Sequence, residues 1–194
     1  MPALKIGDVK VNYHVSGSGD PVPPLHCSSS SLLQWQILRE LLENDYQVWA
    51  QDLYGYGDTD LWTKGHETLI AEEAKLVSEM IDQIGDPVHL VGHSFGGVVS
   101  LRTAMDNQSQ LRSLVLIEPV AAWLMEGDDD LAPYIEFRDR RDEFHKWVEQ
   151  GDIDAAVKES TRFITIGIIL SGLLNIALKN WGNLFELGSG RNFQ

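Results

Sequence analysis

Cysteine is almost missing from this sequence: Cys27 stands alone among 194 residues, so no internal disulfide can form. Nothing then demands an oxidising compartment, and a cytoplasmic setting is the expectation. Basic side chains are scarce too, 15 Lys plus Arg against 29 Asp plus Glu, for a formal charge of -14. So acidic a chain repels a phosphate backbone, which argues against nucleic acid as a partner. The start, "MPALKIGDVKVNYHV", lacks the basic residues, apolar run and small-residue cleavage site of a secretory leader. Long apolar runs are also wanting. "FITIGIILSGLLNIAL", from Phe163 to Leu178, is interrupted by Gly167, Ser171, Gly172 and Asn175. It falls short of the ~20 residues of a spanning helix, so a buried or interface helix is expected there and a membrane is not.

What is present reads as an ordinary globular protein, 43% hydrophobic and 23% charged with 17 Gly and 7 Pro. "LKIG" and "VKVNYHVSG" alternate around Gly7-Asp8 as a β-hairpin. "PVPPLHC" stands where the next strand belongs, although Pro23 and Pro24 remove two ladder donors. Leu32, Trp35, Leu38, Leu41 and Leu42 recur at helical spacing behind the serine run Ser28 to Ser31, which predicts a helix over 29–43. "YQVWAQDL" is a compact strand. Beyond the loop "YGYGDTD", Ile70, Ala74, Val77, Ile81 and Ile84 mark an amphipathic helix ending at Gly85.

"PVHLVGHS", "FGGVVSLRTAMDN" and "LRSLVLIEPV" follow as strand, helix and strand, the last apolar on both faces as if covered on both sides. This alternation predicts an α/β fold with a mostly parallel sheet and flanking helices. Past Pro119 no strand can be recognised, and "APYIEFRDRRDEFHKWVEQGD" and "IDAAVKESTRFITIG" look helical. The expected organisation is a core over 1–120 and a helical, cap-like part with a divergent tail over 121–194.

Gly92-His93-Ser94-Phe95-Gly96 matches G-x-S-x-G. The pattern has meaning only between a strand and a helix, where a tight, strained turn exposes the serine and flanking glycines keep side chains away. Both neighbours fit. The helix that begins at Phe95 would aim its first N–H groups and its positive dipole end at the serine, where an oxyanion would develop.

Here the chain resembles the α/β-hydrolase superfamily, over about residues 4 to 120: the hairpin, "LHCSSSS", "DLYGYGDTD", "HLVGHSFGG" and "LRSLVLIEP" come in the family's order. The resemblance implies Ser94 as nucleophile and the backbone N–H groups of Phe95 and Ser28 as oxyanion hole. Family members that form alkyl-enzyme esters from haloalkanes or epoxides carry aspartate at this elbow. Serine implies acyl-enzyme chemistry on a small-molecule ester or related acyl substrate, with no cofactor or metal.

The family pattern then requires an acid and a histidine, in that order, after the nucleophile. Glu118, at the end of the strand after the nucleophile helix, is the candidate acid. No histidine stands out as base: His145 lies among charges in "RRDEFHKW", His93 is fixed beside the serine and should point away from it, and His26 belongs to the oxyanion loop. Glycine is usual where Cys27 stands, and Cys27 reads as a small buried residue rather than a reactive thiol. "EGDDDLAPY" lacks the glycine and terminal glutamate of a calcium loop and reads as solvated linker. Met125, Phe137, Phe144 and Trp147 are candidate cap residues or plain core.

Two readings stay open. One is a serine hydrolase with a helical cap. The other is a truncated or diverged homologue without a complete triad, which binds a ligand or partner or has no independent activity. In the truncated case the "LVLIEP" strand would form a sheet edge to be covered by the tail or by a second copy in a homo-oligomer.

Overall fold

A computed structural model of the chain describes residues 3–63, 69–120 and 132–158. The chain divides into two units, Met1–Pro119 and Val120–Gln194.

In the first unit the described residues form one seven-stranded sheet: β1 (Ala3–Ile6), β2 (Val9–Gly17), β3 (Asp20–Val22), β4 (Pro24–Leu25), β5 (Tyr46–Gln51), β6 (Val88–His93) and β7 (Leu111–Ile117). The order is β1-β2-β5-β4-β6-β7, with β3 also against β5. β1 and β2 pair antiparallel across the Gly7 turn, and β2 pairs antiparallel with β5. The rest, from β3 to β7, is parallel. This is the mostly parallel α/β sheet that the alternation predicts.

The prolines shape the middle of that sheet. Instead of one continuous strand, "DPVPPL" gives two short ones separated by Pro23, whose carbonyl still accepts from Val91 N–H at 3.3 Å. β4 is thus only two residues long, yet sits between β5 and β6. Three apolar clusters hold the layers. The largest gathers Leu25, Leu53, Val77, Ile81, Val88, Leu90 and Val99, joining β4 and β6 to α2 (Leu69–Ile84) and α3 (Phe95–Asp106). α2 stops at Gly85, whose φ of 78° is a left-handed cap and whose N–H bonds Ile81 O at 3.1 Å.

The helix expected over 29–43 begins later and tighter: a 3-10 turn, Leu32–Trp35, capped by Ser31, runs into α1 (Gln36–Leu42). The serines before it form the loop after β4. Leu32 and Trp35 are buried as the spacing predicts, but Leu41 is 70% exposed. A second correction concerns β7. Its sequence is apolar on both faces, yet Val115 and Ile117 remain 46% and 40% exposed, so only its Leu114 side packs on the core.

In the second unit, α4 (Ala132–Glu149) is laced by ion pairs such as Arg140 with Glu143, and ends at Gly151, φ 73°. Asp152 then starts a short helical segment over 153–158, accepting from Ala155 N–H at 3.0 Å. Phe137 is buried, and the Phe144 and His145 rings pack edge-on in a T shape. Phe163 to Leu178, Met125 and the "EGDDD" stretch lie outside the described residues. Among the described residues no helix is long and apolar enough to cross a membrane.

Candidate active site

Ser94 occupies the turn between β6 and α3 with φ 52° and ψ -113°, a conformation that L side chains rarely adopt. The turn is held from outside. Ser94 N–H donates to Ile117 O of β7 at 2.9 Å, and Ser94 O accepts from Val98 N–H as the first bond of α3. The flanking glycines are needed for space: a Cβ on Gly96 would lie 2.5 Å from the carbonyl oxygens of Leu25 and His26, and one on Gly92 would meet Ser100 Oγ. Gly96, more than Gly97, is where α3 lies closest to β4. The Ser94 hydroxyl takes no hydrogen-bond partner among the described residues, and neither does the Phe95 N–H.

The loop after β4 stands opposite, and three bonds fix it. His26 is fully buried. Leu53 N–H can only donate, so His26 Nε2 accepts from it at 3.1 Å, and Nδ1 carries the proton given to Cys27 O at 2.7 Å. Burial lowers the His26 pKa, against the opposite pull of the Cys27 carbonyl and Asp52, in keeping with a neutral ring. The third bond runs from Cys27 N–H to Gln34 Oε1 at 3.0 Å.

Because the peptide is planar and trans, a Cys27 carbonyl held by His26 turns the Ser28 N–H the other way. That N–H takes no partner among the described residues. The left-handed residue of the loop is Ser29, φ 60°, so Cys27 needs no glycine-like backbone. Cys27 is half-buried rather than buried as expected, and burial still pushes its thiol pKa up, away from a nucleophile's.

His93 does point to other partners. Its Nδ1 lies 3.0 Å from Gln34 Nε2, and its Nε2 lies 4.0 Å from a carboxylate oxygen of Glu118. Glu118 itself has φ 46°, directly after the strand that holds Ser94. The site thus brings together Ser94, Phe95, Ser28 and, through His93, Glu118. No hydrogen bond joins a histidine to Ser94 Oγ among the described residues.

Three residues that sequence reasoning passed over support the loop after β5. Asp52, 1% exposed, accepts from Leu32 N–H and Asn12 Nδ2, each at 2.6 Å, and from Asp58 N–H at 3.4 Å. Thr59 closes the network, accepting from Asn12 N–H at 2.9 Å and donating to Asp52 O at 3.0 Å. Glu73, fully buried on α2, takes Tyr54 N–H on both oxygens at 3.1 and 3.2 Å. Burial raises its pKa to about 7, the Tyr54 bond working against the rise. Glu73 was detectable, since it lies three residues after Ile70 and four before Val77, on the apolar face. Among the described residues no cluster of side chains could hold a metal ion.

Comparison with known proteins identifies the family and the fold. Residues 19–166 match the model of the alpha/beta hydrolase family. A fluoroacetate dehalogenase from a Burkholderia species is 31% identical, over 63% of this chain and 41% of its own. A 2-hydroxy-6-oxo-2,4-heptadienoate hydrolase from Pseudomonas putida is 32% identical, over 59% of this chain and 42% of its own. Among solved structures, a mutant meta-cleavage product hydrolase from Pseudomonas fluorescens, complexed with acetates, superposes with a TM-score of 0.57 at 26% identity, over 61% of this chain and 45% of that one. The chain spans less than half the length of these relatives.

Proposed function

The chain belongs to the alpha/beta hydrolase family, and from that premise we propose that it is a serine hydrolase acting on an ester or related acyl substrate through an acyl-enzyme on Ser94. The observation that carries this reading is the Ser94 turn: a left-handed backbone at the start of α3 and a hydroxyl with no partner among the described residues. Ser94 Oγ attacks the acyl carbon, the carbonyl electron pair moves to oxygen, and the Phe95 and Ser28 N–H groups hold the resulting oxyanion. Collapse expels the leaving group with a proton, and water then releases the acid. The relatives named above include a dehalogenase and a dienoate hydrolase. Serine at the elbow favours acyl transfer over displacement at carbon bearing halogen.

The Ser94 proton must pass to a base, and Glu118 is the acid proposed to orient it. His26 does not serve, both its nitrogens being engaged. That same commitment of His26, and of His93 to Gln34 and Glu118, favours the second reading, a ligand-binding member without turnover. A fluorophosphonate probe separates the two. Labelling of the folded chain that disappears in Ser94→Ala supports the hydrolase; folded protein that stays unlabelled supports the binder.

A further inference from the structure

The Gln34 side chain touches both halves of the site. It is anchored in the 3-10 turn Leu32–Trp35, where its own N–H bonds Ser31 O at 3.0 Å and the Leu32 N–H is held by buried Asp52. From there Oε1 reaches the Cys27 N–H at 3.0 Å and Nε2 reaches His93 Nδ1 at 3.0 Å. The direction of this chain is not free. A backbone N–H only donates, so the atom facing Cys27 must be the amide oxygen. The NH2 group therefore faces His93, whose Nδ1 must be bare to accept, leaving the ring proton on Nε2 toward Glu118.

We propose that Gln34 is a positioning residue that clamps the Ser28 loop to the nucleophile turn, and that the clamp closes only while His93 carries a single ring proton. The proposal rests on reading the Ser28 and Phe95 N–H groups as the oxyanion hole. A second proton on His93 turns Nδ1 into a donor facing the amide NH2. Rotating the amide to present its oxygen sets the NH2 against the Cys27 N–H instead. A hydrogen bond from the charged ring is the stronger of the two, so the amide oxygen turns to Nδ1–H and the bond to the Cys27 N–H is the one lost. Among the described residues the side chains bonded or ion-paired to the His93 ring are Gln34 from the 3-10 turn and Glu118, directly after β7.

The test is the protection factor of the Cys27 amide against hydrogen exchange, followed by NMR in the full chain between pH about 8 and about 5, where histidine side chains titrate. It does not depend on turnover. In the natural chain protection should fall about fivefold to tenfold as the pH drops, the effect of one such hydrogen bond. Gln34→Leu should show the low value at every pH. Gln34→Glu should reverse the slope, since a carboxylate accepts from Cys27 N–H and from the Nδ1–H of a doubly protonated ring.

Unchanged protection in Gln34→Leu, or slopes of the same sign in the natural chain and Gln34→Glu, overturns the proposal. If Gln34→Leu does not fold, the comparison of slopes still decides. Failure of fluorophosphonate labelling with the reversed slope intact would remove the hydrolase reading and leave the clamp standing.

Discussion

β5 and β6 run parallel through the sheet and both end in glycine-punctuated turns, but the two turns treat their polar groups in opposite ways. After β5 the polar groups of Asp52 and Thr59 are matched: Asp52 takes three donors, and Thr59 both donates and accepts. After β6 the Ser94 hydroxyl and the Phe95 N–H take no partner among the described residues, on a backbone that is itself strained. A buried carboxylate is tolerable only when donors replace its water, so the first turn is stabilised by saturation. The second gives up that stabilisation and keeps groups available to a ligand. Strain and unmet hydrogen-bonding capacity coincide at the one turn where chemistry is proposed.

The contrast breaks most directly at Asp52. Asp52→Ala strands the donors of Leu32 and Asn12, and urea unfolding should show a loss of about 3–5 kcal/mol. Glu73 sharpens the point, because it is buried with a single shared donor. A folded-state pKa of about 7 against the usual 4.5 means that folding favours its protonated form, so stability is fullest below 4.5 and declines as pH rises through 7. Glu73→Gln stays neutral throughout. Its stability relative to the natural chain should therefore rise by about 3 kcal/mol between those limits and stay level above, in unfolding curves run across pH.

Thr59→Val removes one acceptor and one donor from the β5 network while keeping its volume, and should cost about 1–2 kcal/mol. At Ser94 the effect on stability should be smallest. Ser94→Ala removes a hydroxyl that bonds nothing among the described residues, and should shift unfolding by less than about 0.5 kcal/mol. A larger loss would show that the hydroxyl is structural, and the contrast between the turns would fail.

The same contrast explains what the sequence discloses. The Ser94 turn is legible because its requirements are local: glycine at 92 and 96, a strand before and a helix after. The Asp52 network is not, because Asn12, Leu32 and Thr59 come from separate parts of the chain and meet only once the sheet has formed. The Gln34 contacts are hidden for the same reason, His93 lying 59 residues away. β7 misleads in the other direction, since its pattern of apolar residues reports what each face could bury rather than what packs against it.

The two-residue β4 has a consequence for the order in which the site assembles. Leu25 pairs with Gln51 on one side and Gly92 on the other, so β4 has no place to dock until β5 and β6 are both in position. Each pairing closes a loop, and the one to β6 spans most of the first unit. The nucleophile turn, carried by the longer β6, can form before its counterpart. Loop-closure entropy therefore predicts that the Ser28 loop docks last and is the first part to let go, which would tie the proposed oxyanion hole to closure of the centre of the sheet.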